Sequence, residues 1–482
     1  MTNLEPKNVF HYFNEICKVP RPSKKEGKMI EWLLKTGKEL GVETERDEVG
    51  NVLMRKPASP GKENVTPIIF QAHMDMVCEK NNDLDFDFEQ DAIQTYIDGD
   101  WLKAKGTTLG ADDGIGVAIA LAILADKELQ HGPIECLFTI DEETGLTGAG
   151  ALKSGWLKGK ILLNLDDEDF GEFCIGCAGG KDTVAVYECQ YEHEIPANSV
   201  AYKVSIGGLQ GGHSGEDINK NLGNAVKLLN RILWNAYQEY DVRIADIKAG
   251  NLRNAIAREG WAVVTLPKNN AAEFEAYVKK MDAIYKHELR VSDSGVFATC
   301  EKTQMPKQIW DELLQVSIMD ALYACPHGVL AMAQDIPGFV ETSTNLASIK
   351  VENGKIIIPT SQRSSVESRK DDACDHVASV FYATGADEVT SGDGYPGWNP
   401  NPNSPALKIM LEAYHNLYKE APVVRAIHAG LECGLISEKY PELDMVSFGP
   451  TLRGVHSPDE KLEIPSVKQT WDLILEFIRI LK

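Results

Sequence analysis

The chain has no apolar run long enough to span a bilayer, no dense cysteine framework and no excess of basic residues. Its most apolar stretch, Gly114–Ala125, falls short of the ~20 residues a membrane-spanning helix requires and predicts a buried helix instead. The 10 cysteines are scattered over 482 residues, unlike the close spacing of a small secreted scaffold, so a reduced, cytoplasmic protein is expected. The opening MTNLEPKNVFHYF lacks a basic start followed by an apolar stretch, and no secretory signal is read in it. Lys and Arg number 49 against 72 Asp and Glu, a net charge of −23. Such a balance excludes nucleic acid as a partner and is repelled by anionic membranes. It suits a site that gathers carboxylates around cations. One C-x-x-C is present, Cys174 to Cys177, but a zinc or redox role asks for a second thiol pair, so these are read as small buried residues.

At this length a single core is too small an account, and two domains, one inserted into the other, are expected. Residues 25–40 carry Ile30, Leu33, Leu34 and Leu40 at helical spacing. Three apolar runs, Pro67–Ala72, Pro133–Ile140 and Ile161–Leu165, predict buried strands, with a helix beginning near Asp112 between the first two. That alternation is the pattern of a layered α/β domain. From about Ala185 the segments alternate instead: Ala201–Ile206, Val242–Ile247 and Trp261–Leu266 are separated by amphipathic helices at Leu222–Tyr237 and Ala272–Tyr285. An open sheet with helices on one face is expected there. A hairpin is predicted over Asn345–Thr360 with its turn at Glu352-Asn353-Gly354. Gly392–Pro405 is dense in Gly, Pro and Asn, as a crossover between domains should be. The expected division is therefore 1–184 and 391–482 as one mixed-sheet α/β domain, split by an α+β insertion over 185–390.

Four clusters carry chemistry. His73 and Asp75 follow the first buried strand on one face, where open α/β sheets bind ligands. A carboxylate beside an imidazole is the usual way to orient a metal-ligating ring, and a surface His–Asp pair is the competing reading. Asp112 and Asp113 stand in Gly110–Gly114 at the start of the apolar helix. A cap needs one acid, and the flanking glycines permit close approach to something bound. Glu142 and Glu143 follow the second strand; on extended backbone they diverge, so one can ligate metal while the other serves as general base. Asp166 follows the third strand. Four successive element ends that each carry a potential ligand predict a two-metal site, of Zn²⁺ with Mn²⁺ or Co²⁺ as substitutes. His456, after the Asp444–Phe448 strand, is the imidazole that site still lacks.

At these residues the chain resembles the M20 metallopeptidases, and among them the aminoacyl-histidine dipeptidases. The motifs are AHMDMV, LGADDGIG, DEETGLTGA, NLDDED, GGHSGEDI, NLRNAI and GVHSPDE, spread over nearly the whole chain. The resemblance implies a catalytic domain split by a lid. It implies that Asp112 bridges two zinc ions, His73 and Asp166 completing one site and Glu143 and His456 the other. Asp75 would orient His73, and Glu142 would activate a metal-bridging water. His213 on the lid would stabilise the oxyanion, reaching across a homodimer to the partner's site. Asn254 and Arg363 would hold the substrate carboxylate. In the dipeptidase branch, Glu432 in His428–Gly434 would meet the free ammonium of a dipeptide. The expected reaction is hydrolysis of unblocked dipeptides of the Xaa-His type, β-alanyl-histidine included. A tripeptidase or an N-acyl-amino-acid amidase would use the same site, and a metal-dependent binding protein without turnover would keep the ligands but have no use for Glu142.

Overall fold

The computed structural model describes residues 1, 3–334 and 336–482. The chain forms two compact units. The first comprises Met1–Cys177, Trp398–Ala426 and Leu431–Lys482; the second comprises Ala178–Gly397 and Ile427–Gly430.

Unit 1 is built on a mixed sheet. Its strands are β1 (Glu43–Arg46), β2 (Val52–Lys56), β3 (Ile68–His73), β4 (Ile134–Thr139), β5 (Ile161–Asn164), β6 (Glu172–Cys177) and β7 (Asp444–Ser447). They lie in the order β1-β2-β4-β3-β5-β7-β6, with Val423–Ile427 at the far edge. β3 runs parallel to β4 and β5, and β7 parallel to β5, while β1 and β2 are antiparallel additions. Every residue of β3, β4 and β5 is buried. Continuous apolar runs, rather than alternating ones, are what a parallel sheet covered on both faces demands. The element Ala111–Ala125 packs against β3 and is buried from Gly114 to Leu124. Each fully buried Leu or Ile on it contributes about 1.5–3 kcal/mol through area removed from water. Asp112 (φ −80°, ψ 110°) and Asp113 (φ −105°, ψ 34°) depart from helical values, so the regular helix starts beyond them. Asp113 is its cap, accepting from the Gly116 N–H at 3.2 Å. Parallel strands all point their C-terminal ends the same way, which gathers the segments after β3, β4 and β5 at one edge of the sheet.

Unit 2 carries a ten-stranded sheet. Ser199–Gly207, helix Ala225–Tyr240, Arg243–Ala249, Gly260–Pro267, helix Ala271–Glu288 and Phe297–Lys302 follow one another as β-α-β-β-α-β. Burial alternates along Gly260–Val264, as one covered face requires. The predicted hairpin is present: Glu352 pairs with Lys355 across Asn353 (φ 51°) and Gly354 (φ 78°), the left-handed pair that a two-residue turn needs. The first strand of unit 2, Gly179–Glu188, pairs along its whole length with Lys355–Ser364. Unit 2 thus begins earlier than the change of texture near Ala185, and it also includes Ile427–Gly430, inside the segment assigned to the other domain.

No helix among the described residues is long and apolar enough to cross a membrane. None of the ten cysteines is in a disulfide. Cys174 and Cys177 lie buried in β6, and burial pushes the Cys174 thiol up to about 12.

Candidate active site

Six side chains from five segments of unit 1, His73, Asp112, Glu142 with Glu143, Asp166 and His456, converge at the C-terminal edge of its sheet. His73 ends β3 and is 1% exposed. Its Nε2 lies 3.0 Å from Asp112 Oδ1 and 3.4 Å from Asp166 Oδ1. The other oxygen of Asp112 lies 3.1 Å from His456 Nε2, which is also 2.9 Å from Glu143 Oε2. Asp112 therefore presents one oxygen to each imidazole. His73, Asp112 and Asp166 form one group with ligand atoms within 4.8 Å of one another, and Asp112, Glu143 and His456 form a second. Glu142 belongs to neither of these, but groups with His73 and Glu143.

Local structure explains the placement. His456 (φ 59°) sits in a loop between Leu452–Arg453 and Lys461–Glu463, which pair as a small hairpin. The tail reaches the site because β7 lies beside β5. Glu142 and Glu143 occupy a single helical turn, Glu142–Gly145, preceded by Asp141 in the left-handed region (φ 48°). The sequence reading placed them on extended backbone. On that turn both glutamates still reach one place: a carboxylate oxygen of each lies within 4.8 Å of the other and of a His73 nitrogen. Asp75 is wholly buried; it lies 3.3 Å from His73 Nδ1 and accepts from the backbone N–H groups of Glu142 and Glu143 and from Ser23 Oγ. One carboxylate thus lies beside the imidazole and holds the turn that carries both glutamates.

The electrostatics are those of a site short of positive charge. Burial, with Asp166, Glu432 and Glu143 adding to it, pushes the Glu142 carboxyl well above the ordinary range. Burial raises Asp166 to about 7. Burial opposes a charged His73 ring, but Asp166, Asp112 and Asp75 outweigh it and hold the ring's affinity for a proton high. Glu143 Oε1 is buried with no hydrogen-bond partner. Crowded carboxylates, two imidazole nitrogens aimed at them and an orphaned acceptor fit a pair of divalent cations, which would reverse each of these effects.

Two residues that sequence reasoning missed frame the Asp112 segment. Glu460 accepts from the N–H groups of Leu109, Gly110, Ala111 and Asp112. Arg21 donates to the carbonyls of Met74, Asp75 and Gly110. A Cβ on Gly110 would lie 2.5 Å from Arg21 Nη2, and one on Gly114 would lie 2.6 Å from it. The close approach that these glycines permit is therefore to a guanidinium of the same chain, where the sequence reading supposed a bound group. Glu432 lies in unit 1, 1% exposed, accepting from Gln71 Nε2 at 2.7 Å and Thr139 Oγ1 at 2.6 Å. Its Oε1 has no partner, and burial raises the carboxyl to about 7.

His213, Asn254 and Arg363 lie in unit 2. His213 pairs with Ala255 as an isolated bridge, and Ser214 N–H donates to the Asn254 carbonyl. His213 and Asn254 line a cavity of about 1050 Å³ with Arg258, Trp261 and Phe297. The Glu216 N–H donates to His213 Nδ1 at 3.1 Å, which leaves the proton of the neutral ring on Nε2. Burial and then Arg363 push this histidine down, keeping it neutral. Arg363 is 7% exposed; it donates to Tyr395 Oη at 2.9 Å, and its Nε has no partner.

His428 is an unforeseen buried group, 5% exposed, with Ser343 Oγ 2.7 Å from its Nε2. Burial, then Arg363, pushes it down to about 3. The folded ring stays neutral while the unfolded ring binds a proton below about 6.5. Its contribution to stability is complete above that pH and is lost as pH falls toward 3, by about 1.4 kcal/mol per unit. The melting temperature is expected to fall less steeply between pH 7 and pH 5 in His428→Gln than in the wild type, as thermal scans at each pH would read. Parallel slopes would contradict this.

The chain is 41% identical over 479 residues to the cytosol non-specific dipeptidase of Escherichia coli (strain K12), covering 99% of this chain and 98% of that protein. Its fold matches the crystal structure of aminoacylhistidine dipeptidase from Vibrio alginolyticus with a TM-score of 0.93 at 42% identity, covering 100% of this chain and 98% of that one. A tripeptidase of Staphylococcus aureus shares the fold at a TM-score of 0.57 and 17% identity over 99% of this chain and 98% of that one. The model of peptidase family M20/M25/M40 matches residues 69–480. With that match and these relatives, the chain belongs to peptidase family M20/M25/M40.

Proposed function

We propose that this chain is a di-zinc dipeptidase that hydrolyses the peptide bond of unblocked dipeptides, with an Xaa-His preference that extends to β-alanyl-histidine. The observation that carries the reading is Asp112, whose two oxygens face two imidazoles in two separate ligand groups. His73 and Asp166 would hold one cation, Glu143 and His456 the other, and Asp112 both. When bound, the cations supply Lewis-acid activation of water and of the scissile carbonyl. Glu142 moves the proton: its carboxylate takes one from the attacking water and returns it to the departing amine nitrogen. Its place supports that work: it groups with His73 and Glu143 but shares no ligand group with Asp112, so it lies beside the cations without being needed to hold them. Asp75 keeps His73 in one tautomer. A neutral His213 offers an Nε2–H to the developing oxyanion, and Arg363 and Asn254 hold the substrate carboxylate, the guanidinium through its unused Nε.

Glu432 supports the restriction to unblocked substrates. A buried carboxylate with one unpartnered oxygen is stabilised by a cation, and the free ammonium of a dipeptide is one. The test is a panel of free and N-acetylated dipeptides and matching tripeptides, with zinc content measured beside it. Free dipeptides are expected to turn over at least tenfold faster than the acetylated forms. Equal rates would remove Glu432 from recognition, faster cleavage of tripeptides would make the enzyme a tripeptidase, and two bound zinc ions without cleavage would make it a binding protein. A homodimer and a cytoplasmic location complete the proposal; the name of the Escherichia coli relative supports the location. A sedimentation run that shows only monomer at full activity would remove the dimer.

A further inference from the structure

The Leu109–Asp112 segment is held by charged groups from two distant parts of the chain. On one side Glu460, 2% exposed, spends both carboxylate oxygens on backbone amides: Oε2 takes Leu109 N–H at 2.7 Å and Gly110 N–H at 2.9 Å, Oε1 takes Ala111 N–H at 2.7 Å and Asp112 N–H at 3.3 Å. On the other side Arg21, also 2% exposed, donates to the Gly110 carbonyl. Gly110 is therefore gripped through its N–H by one charge and through its C=O by the other. Arg21 also donates to Met74 O at 3.1 Å and Asp75 O at 2.6 Å, so a single guanidinium ties the segment after His73 to the segment carrying Asp112. Its neighbours extend the hold. Ser23 donates to Asp75, and Glu26 accepts from the Asp141 N–H at 3.0 Å, next to the turn bearing Glu142 and Glu143. Three ligand-bearing segments thus rest on Arg21–Glu26. That stretch precedes the span matched by the family model, residues 69–480.

We propose that Arg21 and Glu460 are positioning residues which clamp the Asp112 backbone from both sides so that its two oxygens stay aimed at two metals. This rests on the reading of Asp112 as the shared ligand. A bridging carboxylate must satisfy two cations in one orientation, so a rocking backbone would weaken the second metal before the first. Lysine cannot replace Arg21, because a single ammonium cannot reach three carbonyls in the fork geometry of a guanidinium. Glutamine cannot replace Glu460, because it has one acceptor oxygen for four donors and turns an NH₂ toward two of them. Groups that orient metal ligands typically change metal affinity about 10–100-fold when removed. Arg21→Lys and Glu460→Gln are each expected to weaken the second zinc by that factor, to lower kcat at limiting zinc with little change in KM, and to regain most of kcat when zinc is raised.

The experiment is zinc titration of the metal-free protein against a chromophoric chelator, wild type beside both variants, with kcat and KM measured at low and high zinc. Amide exchange of Leu109–Asp112 in the metal-free wild type accompanies it and does not depend on a variant folding. Slow exchange with weakened second-site binding in the variants supports the clamp. Fast exchange in the wild type, or folded variants with unchanged zinc affinity and kcat, overturns it. If the wild type itself takes up fewer than two zinc ions, the reading of Asp112 fails, and the clamp fails with it.

Discussion

Glu142→Ala is expected to bind two zinc ions as tightly as the wild type and to hydrolyse dipeptides about 10²–10⁴-fold more slowly, the usual cost of losing a general base. The expectation follows from where Glu142 sits. It shares no ligand group with Asp112, yet it groups with His73 and Glu143 and is pushed toward neutrality by burial and by the charges around it. It supplies no oxygen to either group built on Asp112, so both metals should keep their full set of ligands. KM should change little, because the carboxylate acts on the proton and not on the bound peptide. Steady-state kinetics beside metal analysis by atomic emission would read both. A variant that loses a metal ion would make Glu142 a ligand, and a variant that keeps its rate would leave the base unassigned.

Asp112→Ala is the second large effect, and it should look different. Here the residue supplies an oxygen to each imidazole's group, so both sites lose a ligand together. At most one zinc ion should remain after dialysis, and turnover should fall to the level of the chelator-treated wild type. Stability separates this from misfolding. Zinc binding to the native state raises the melting temperature of the wild type by mass action, about 4 kcal/mol of stabilisation at a thousand times Kd. The variant should melt near the metal-free wild type and gain much less from added zinc. A variant that melts well below the metal-free wild type would point to a structural role instead. One that retains two zinc ions would show that Asp112 does not bridge.

The convergence of His73, Asp112, Glu142, Glu143, Asp166 and His456 was legible because strand ends mark themselves. His73, Glu142 and Asp166 each follow an apolar run, and the motifs around them resemble one family. The backbone of Glu142 and Glu143 was not legible: the positive φ at Asp141 that starts a helical turn has no signature in an Asp-Glu-Glu run. Arg21 and Glu460 could not be read in this way. Their partners are backbone groups between 53 and 351 residues away, and a side chain that binds amides or carbonyls leaves no complementary residue type to look for. The only trace was indirect, in Gly110 and Gly114, whose missing side chains make room for a guanidinium. The start of unit 2 was hidden for a related reason. Gly179-Gly180 reads as a turn, and only pairing with Arg363 and Ser364 makes it strand. Glu432 was read as a partner for the ammonium of a dipeptide; its burial and its bonds to Gln71 and Thr139 appear only once the helix Glu432–Lys439 is placed.

The most direct test of the two-metal reading is anomalous diffraction at the zinc edge from zinc-loaded crystals. Two peaks are expected about 3.5–4 Å apart, one beside His73 and Asp166, the other beside Glu143 and His456, with one oxygen of Asp112 on each. A single peak, or two peaks that Asp112 does not join, would contradict it.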